Sequence, residues 1–211
     1  MSPVVVSTLV SLDGYVAGPG GDISGLPMDA SFDALNLERL RAAGTLLMGA
    51  TTYRGMVGYW PAVAADPTVS PAVALDPSAA DLHRETAQRN AALPKVVVSD
   101  SLTPADTGPW ADTTTIVRRA DAHAAVAALR AGAGGDVLVF GSRTLWGDLL
   151  AAGLVDELFL LVGPVVLGAG LRAFPDGVPA HLRLRDTARR PGSDNVLLSY
   201  AVGTGDAEPS S

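Results

Sequence analysis

From Val137 the chain reads VLVFGSRTLWGDLLAAGLVDELFLLVGPVVLGAGLRAF as far as Phe174, and the apolar pattern changes several times along it. Val137 to Phe140 is a continuous apolar run too short for a helix; it stops at Gly141-Ser142, after which Leu145, Trp146, Leu149 and Leu150 recur at helical spacing. The pattern predicts a strand buried on both faces, a tight turn and a helix. Leu158 to Val162 follows as a second buried strand, then Val165 to Gly170 as a Gly-rich, hairpin-like segment, with the carboxylate pair Asp156-Glu157 in between. A strand-turn-helix junction of this kind aims the unpaired N–H groups of the first helical turn outward, an arrangement that suits an anion.

The remaining pattern fits one sheet around this unit. Val4 to Leu12 has the composition of a central strand and runs into the turn Asp13-Gly14, with Tyr15, Val16 and Ala17 at its exit. In open α/β sheets ligands lie at such exits. Phe32, Leu35, Leu37 and Leu40 predict an amphipathic helix over 30–43, with Asp33 near its start. Thr45 to Met48 predicts a short buried strand ending at Gly49-Ala50-Thr51-Thr52-Tyr53, a second junction of strand and Gly-Thr turn. Gly58 to Pro94 reads as an irregular excursion with one helix over 81–92. Lys95 to Ser99 and Thr115 to Val117 predict strands, the latter followed by Arg118-Arg119, and Ala122 to Ala131 predicts a helix. The alternation at 181–185 and the run Asn195 to Val202 predict an antiparallel edge. One domain over 1–203 and a disordered tail over 204–211 complete the expectation.

Composition narrows the chemistry. The 211 residues fit a single globular domain, 48% hydrophobic and 18% charged. A net charge of −7 argues against nucleic acid or an anionic membrane surface as partner, which leaves a small molecule. The chain has no Cys, and its three His show neither HxxxH nor HExxH spacing, so no metal site is expected. With no basic segment ahead of the first apolar run and no run long enough to span a bilayer, a cytoplasmic location is expected.

Five segments in order, SLDGYVAG (11–18), LLMGATTY (46–53), PKVVVS (94–99), VFGSRTL (139–145) and LVDELFLLVGPVVLGAG (154–170), resemble the dihydrofolate reductase-like family. Within it they resemble the branch of the riboflavin biosynthesis reductase (RibD) C-terminal domain. The resemblance implies an α/β fold of the dihydrofolate reductase type, a central, mostly parallel sheet flanked by helices with an antiparallel C-terminal edge. It also implies NADPH bound across the strand ends, with NADH as the alternative, and a homodimer, to which the mean hydropathy of +0.28 also points.

Carried over residue by residue, Gly49, Thr51, Thr52 and Tyr53 are similar to the segment that holds the adenosine side, and Ser99 to its neighbour on the next strand. Gly141, Ser142, Arg143, Thr144 and Leu145 are similar to the turn under the pyrophosphate, and Val16 and Ala17 to the nicotinamide wall. Asp33 has the spacing of the acid that binds the pterin, and Glu157 resembles the acidic residue near the substrate in the reductase branch. The family's usual Arg after Gly49 is Ala50 here, which leaves Arg54, Arg118, Arg119 and Arg143 as the nearest cations for a 2′-phosphate; the family's sheet order favours Arg118 and Arg119, at a strand end beside the adenosine side. Leu161 and Val162 stand where dihydrofolate reductases keep a Thr, so dihydrofolate is not the expected substrate. No deaminase segment precedes the reductase segments, so a stand-alone reductase of a small heterocyclic or carbonyl substrate is expected, with Asp33 or Glu157 managing the proton. The competing expectations are a nucleotide-binding protein of the same fold that has lost turnover, and a purely structural protein.

Overall fold

The computed structural model describes residues 1–203, so the expectation for 204–211 lies outside the described residues. The elements are β1 (Val4–Ser11), β2 (Tyr15–Ala17), α1 (Ala30–Ala42), β3 (Ala43–Gly49), α2 (Ala50–Ala65), α3 (Pro71–Leu75), α4 (Ala80–Ala92), β4 (Lys95–Val98), β5 (Thr114–Val117), α5 (Ala122–Ala131), β6 (Asp136–Phe140), α6 (Arg143–Ala151), β7 (Glu157–Gly163), β8 (Leu171–Arg172), β9 (His181–Arg189) and β10 (Val196–Gly203). Eight strands form one sheet in the order β5-β4-β3-β6-β1-β7-β10-β9, and β2 pairs with β8 in a separate ribbon. Strands β5 to β7 in that order are mutually parallel, whereas β10 runs antiparallel to both β7 and β9. This is the architecture that the resemblance to the dihydrofolate reductase-like family implied.

All eight residues of β1 are buried, because helices cover both faces of the sheet there. Val4, Val6 and Val10 turn to the side of α5 and α6 and pack with Val126, Leu145, Trp146 and Leu149. Val5 turns to the other side and packs with Leu40 of α1 and Tyr53 of α2, and Leu9 with Leu35 of α1. Alternate residues of one strand thus hold two helical layers.

The excursion over 58–94 differs from expectation in being mostly helical. α2 runs on through Gly58 and Pro61 to Ala65, then α3 and α4 follow, and α4 packs across both α1 and α2. Gly58 and Pro61 read locally as breakers, but Met56, Val57 and Trp60 bury against the core and offset the local cost. Asp66 and Asp76 each accept the N–H two residues on, Thr68 and Ser78, and so punctuate the segment between its helices.

The N-terminal ends of the strands are closed by Asp156. Its carboxylate accepts the Val4 N–H at 2.8 Å and a hydrogen bond from Arg130 of α5, while its backbone bonds Val4 and Val202. The carboxylate pair therefore begins as a brace between β1, β10 and α5.

Candidate cofactor-binding and active site

The parallel strands end on one rim, and two of the turns there are tied to each other. The turn after β6 places Gly141 and Ser142 in the left-handed region, at φ 51° and 54°, and Ser142 is the one non-glycine residue with positive φ among the described residues. That conformation costs a Ser about 1–2 kcal/mol. Three hydrogen bonds hold it: Ser142 N–H donates to Thr52 Oγ1 at 3.1 Å, Ser142 Oγ donates to Thr52 Oγ1 at 2.8 Å, and Gly49 N–H donates to Ser142 Oγ at 2.8 Å. At about 0.5–1.5 kcal/mol each they outweigh the strain. A Cβ on Gly141 would stand 3.3 Å from Thr52 Oγ1, so the glycine also makes room for the clasp.

The clasp sets the starts of α2 and α6 side by side, and neither helix opens with a side-chain cap. Two sets of orphan N–H groups and two positive helix ends thus share one rim, the chemistry that fits the pyrophosphate of a dinucleotide. Thr51 and Thr144 are exposed in the first turns of these helices. Arg143 Nε donates to the Arg172 carbonyl at 2.8 Å and so joins this rim to the β2–β8 ribbon. In that ribbon Val16 is half-buried and Ala17 buried, and Gly170 backs them so closely that a Cβ there would lie 2.1 Å from the Ala17 carbonyl. Asp13 fixes the ribbon's entry. It accepts the Ser11 hydroxyl at 2.6 Å and the Leu167 and Gly168 N–H groups at 3.0 and 2.7 Å, and these bonds, Ser11's first, hold its carboxyl below the usual range against the effect of burial.

Four residues expected at the site are placed elsewhere or committed to other partners. Tyr53 is buried, with its hydroxyl bonded to the Thr107 carbonyl and Thr114 Oγ1 and its ring edge-on to Trp110, so it is part of the core. Leu145 is buried under α6 for the same reason, since the apolar stripe of an amphipathic helix faces the sheet. Ser99 is buried and accepts the Ser101 and Leu102 N–H groups, closing the turn after β4. Glu157 starts β7, so it sits on the opposite end of the sheet from the rim, 3.5 Å from Arg185. Strand direction decides this: the end of β7 that reaches the rim is Gly163.

Asp33 lies in the first turn of α1 but turns toward α4, where its Oδ2 is 3.2 Å from His83 Nε2. His83 Nδ1 is in turn 3.2 Å from Ser70 Oγ, so a buried chain runs from α1 into the segment before α3. Burial raises the Asp33 carboxyl above its ordinary value, opposed by the His83 charge and hydrogen bond. Sequence reasoning missed both partners, because nothing local links a lone His in the excursion to α1. Arg118 donates to the Asp100 carbonyl and Arg119 N–H to the Asp100 carboxylate, which anchors both arginines beside the ends of β4 and β5.

Among the described residues no group of His, Cys, Asp or Glu is placed to hold a metal ion, and no helix is long and apolar enough to cross a membrane. No curated protein matches the chain in sequence. In fold it is similar to a pyrimidine reductase-like protein from Corynebacterium diphtheriae, with TM-score 0.59, 16% identity, and 96% of this chain and 92% of that one covered. The bifunctional diaminohydroxyphosphoribosylaminopyrimidine deaminase/5-amino-6-(5-phosphoribosylamino)uracil reductase from Thermotoga maritima gives 0.59 at 16% identity over 96% of this chain and 57% of that one. Dihydrofolate reductase from Enterococcus faecalis, solved with NADP(H), gives 0.56 at 12% identity over 96% and 97%. Residues 3–198 match the RibD C-terminal domain, and the chain accordingly belongs to that family of reductases.

Proposed function

We propose that the protein uses NADPH, or less favourably NADH, to reduce a small heterocyclic or carbonyl compound. The observation that carries this reading is the clasp of Ser142 and Thr52, which sets two uncapped helix starts beside one another on the rim. The first turns of α2 and α6, through Gly49, Thr51, Thr52 and the Gly141–Thr144 segment, would hold the phosphates, with Val16 and Ala17 toward the nicotinamide and Arg118 toward the adenosine. Bound NADPH supplies the hydride. The chain's own part is to orient the two reactants and to manage one proton, and with Glu157 at the far end of the sheet that task falls to Asp33, whose burial keeps it protonated to higher pH.

A cofactor-binding protein without turnover is the second reading, favoured by the commitment of Asp33 to His83. NADPH and NADH titrations followed by NADPH oxidation assays with uracil-type, pterin and carbonyl acceptors separate the two. Binding with oxidation of NADPH by one of these acceptors supports the reductase, binding without any supports the second reading, and no binding overturns both.

A homodimer belongs to the same proposal. Leu182, Leu198, Tyr200 and Val202 reach the core from β9 and β10 yet stay half-exposed, and Leu184 beside them is 53% exposed.

A further inference from the structure

The segment between α2 and α4 reaches Asp33 through a single hydroxyl. Ser70 precedes α3 and is 1% exposed, and its side chain does not cap that helix, whereas Asp66 and Asp76 in the same segment each accept an N–H two residues on. Its one side-chain partner among the described residues is His83 Nδ1, at 3.2 Å. His83 is 3% exposed on α4, and its other nitrogen, Nε2, lies 3.2 Å from Asp33 Oδ2. Asp33 Oδ1 makes no hydrogen bond among the described residues and the side chain is 17% exposed, so one carboxyl oxygen is held and the other is open.

The Ser70 hydrogen decides how this chain is wired. If Ser70 accepted a hydrogen from Nδ1, its own O–H would stay buried without an acceptor, which is disfavoured. Ser70 donating to a bare Nδ1 satisfies both groups. The neutral ring then carries its hydrogen on Nε2 and donates to Asp33 Oδ2. With Oδ2 occupied as an acceptor, a proton on Asp33 belongs on Oδ1.

We propose that Ser70 and His83 are positioning residues that place the acid proton of Asp33 on Oδ1, the oxygen a substrate can reach. The inference rests on the reductase reading with Asp33 as proton donor. Without the Ser70 hydroxyl nothing sets the ring: a bare Nε2 can draw the acid hydrogen onto Oδ2, or the ring can take the proton and leave a carboxylate. The charges acting on Asp33 are those of His83 and of Asp29, one turn earlier on α1. α2 faces the His83 ring with Trp60, which is uncharged and 6.2 Å away.

Nitrogen NMR of His83 in the full chain without ligand reads the ring directly. At neutral pH a hydrogen on Nε2 and a bare Nδ1 are expected, and a hydrogen on Nδ1 overturns the proposal. Carboxyl-carbon NMR of Asp33 gives a second reading. Ser70→Ala should lower its titration midpoint by about one pH unit, the worth of one neutral hydrogen bond, while His83→Asn should raise it and Ser70→Thr should restore the parent value. Altered packing alone gives no reason for opposite shifts, so an unmoved midpoint in Ser70→Ala, or shifts of the same sign in both, overturns the proposal. NADPH oxidation is assayed in parallel with uracil-type, pterin and carbonyl acceptors. Midpoints that move as expected without oxidation by any acceptor reject the reductase reading and leave the wiring of Asp33 standing; oxidation with an unmoved Ser70→Ala midpoint rejects the wiring alone.

Discussion

The Ser142 hydroxyl donates to Thr52 Oγ1 at 2.8 Å and accepts the Gly49 N–H at the same distance, so one oxygen joins the turn after β6 to the turn after β3. Thr52→Val removes the acceptor for two of the three clasp bonds. It is expected to lower stability by about 1–3 kcal/mol and NADPH affinity by about tenfold, with Thr52→Ser restoring both. Urea unfolding and a cofactor titration check the two effects, and unchanged affinity in Thr52→Val would remove the clasp from the cofactor site.

Under the proposed function, cofactor choice is expected to turn on Arg118 and Arg119, since Ala50 offers no charge. Each charge-assisted contact contributes about 1.5–3 kcal/mol, so NADPH should be preferred over NADH by about ten- to a hundred-fold, and Arg118→Ala or Arg119→Ala should shrink that ratio. Asp100 holds Arg118 through its backbone carbonyl and pairs its carboxylate with the Arg119 guanidinium at 3.6 Å, so Asp100→Asn should act on the ratio through Arg119 alone. Paired dissociation constants for the two cofactors decide; equal affinities in the parent protein would refute the assignment.

Asp33→Asn should slow hydride transfer by about 10²–10⁴-fold without weakening NADPH binding, while Glu157→Gln should leave the rate unchanged. The proposed role makes the protonated carboxyl the working form, so the rate should fall as pH rises through the raised Asp33 pKa. His83 opposes that rise, so His83→Asn should move the fall to higher pH. Rate–pH profiles of the three variants test this, and a profile unmoved by His83→Asn would uncouple the pair.

Lys95 gives the fold an alkaline signature. It is buried, its ammonium donates to the Ala91 and Leu93 carbonyls and Thr113 Oγ1 and lies 4.6 Å over Trp110, and burial lowers it from 10.5 to about 8. Between these values the unfolded chain binds more protons than the folded one, so this group's contribution to stability increases as pH rises through the window and is least favourable below it. The gain from pH 8 to 10.5 should be about 3 kcal/mol in the parent relative to Lys95→Met. Denaturant midpoints across that range measure it, and parallel curves for the two proteins would contradict it.

For the dimer, Leu184→Glu places a charge in the exposed apolar strip of β9 and should convert a dimer to a monomer in light scattering at micromolar concentration. A monomeric parent protein would end that proposal.

Much of this architecture was legible in the residues themselves. Val4–Ser11, Lys95–Val98 and Asp136–Phe140 are short apolar runs between turn signals, and central parallel strands have no other common appearance. The Gly-Ser turn was legible because its φ values demand it, and α2 beyond Gly58 was not, because tertiary packing overrode two breakers. Glu157 shows a different limit: its motif was visible, but only strand direction tells which end of the sheet a residue occupies. His83 was beyond reach, since its partnership with Asp33 joins helices α4 and α1 across fifty positions.

The strand order also bears on how the molecule is made. Within this domain β1 is made well before both of its neighbours, β6 and β7, which begin only at Asp136 and Glu157. Until those residues are made, this fully buried strand has two open hydrogen-bonding edges and no partner strand to fill them. Closing both edges of β1 waits for β7, which makes the partly synthesised domain the stage most open to misassociation.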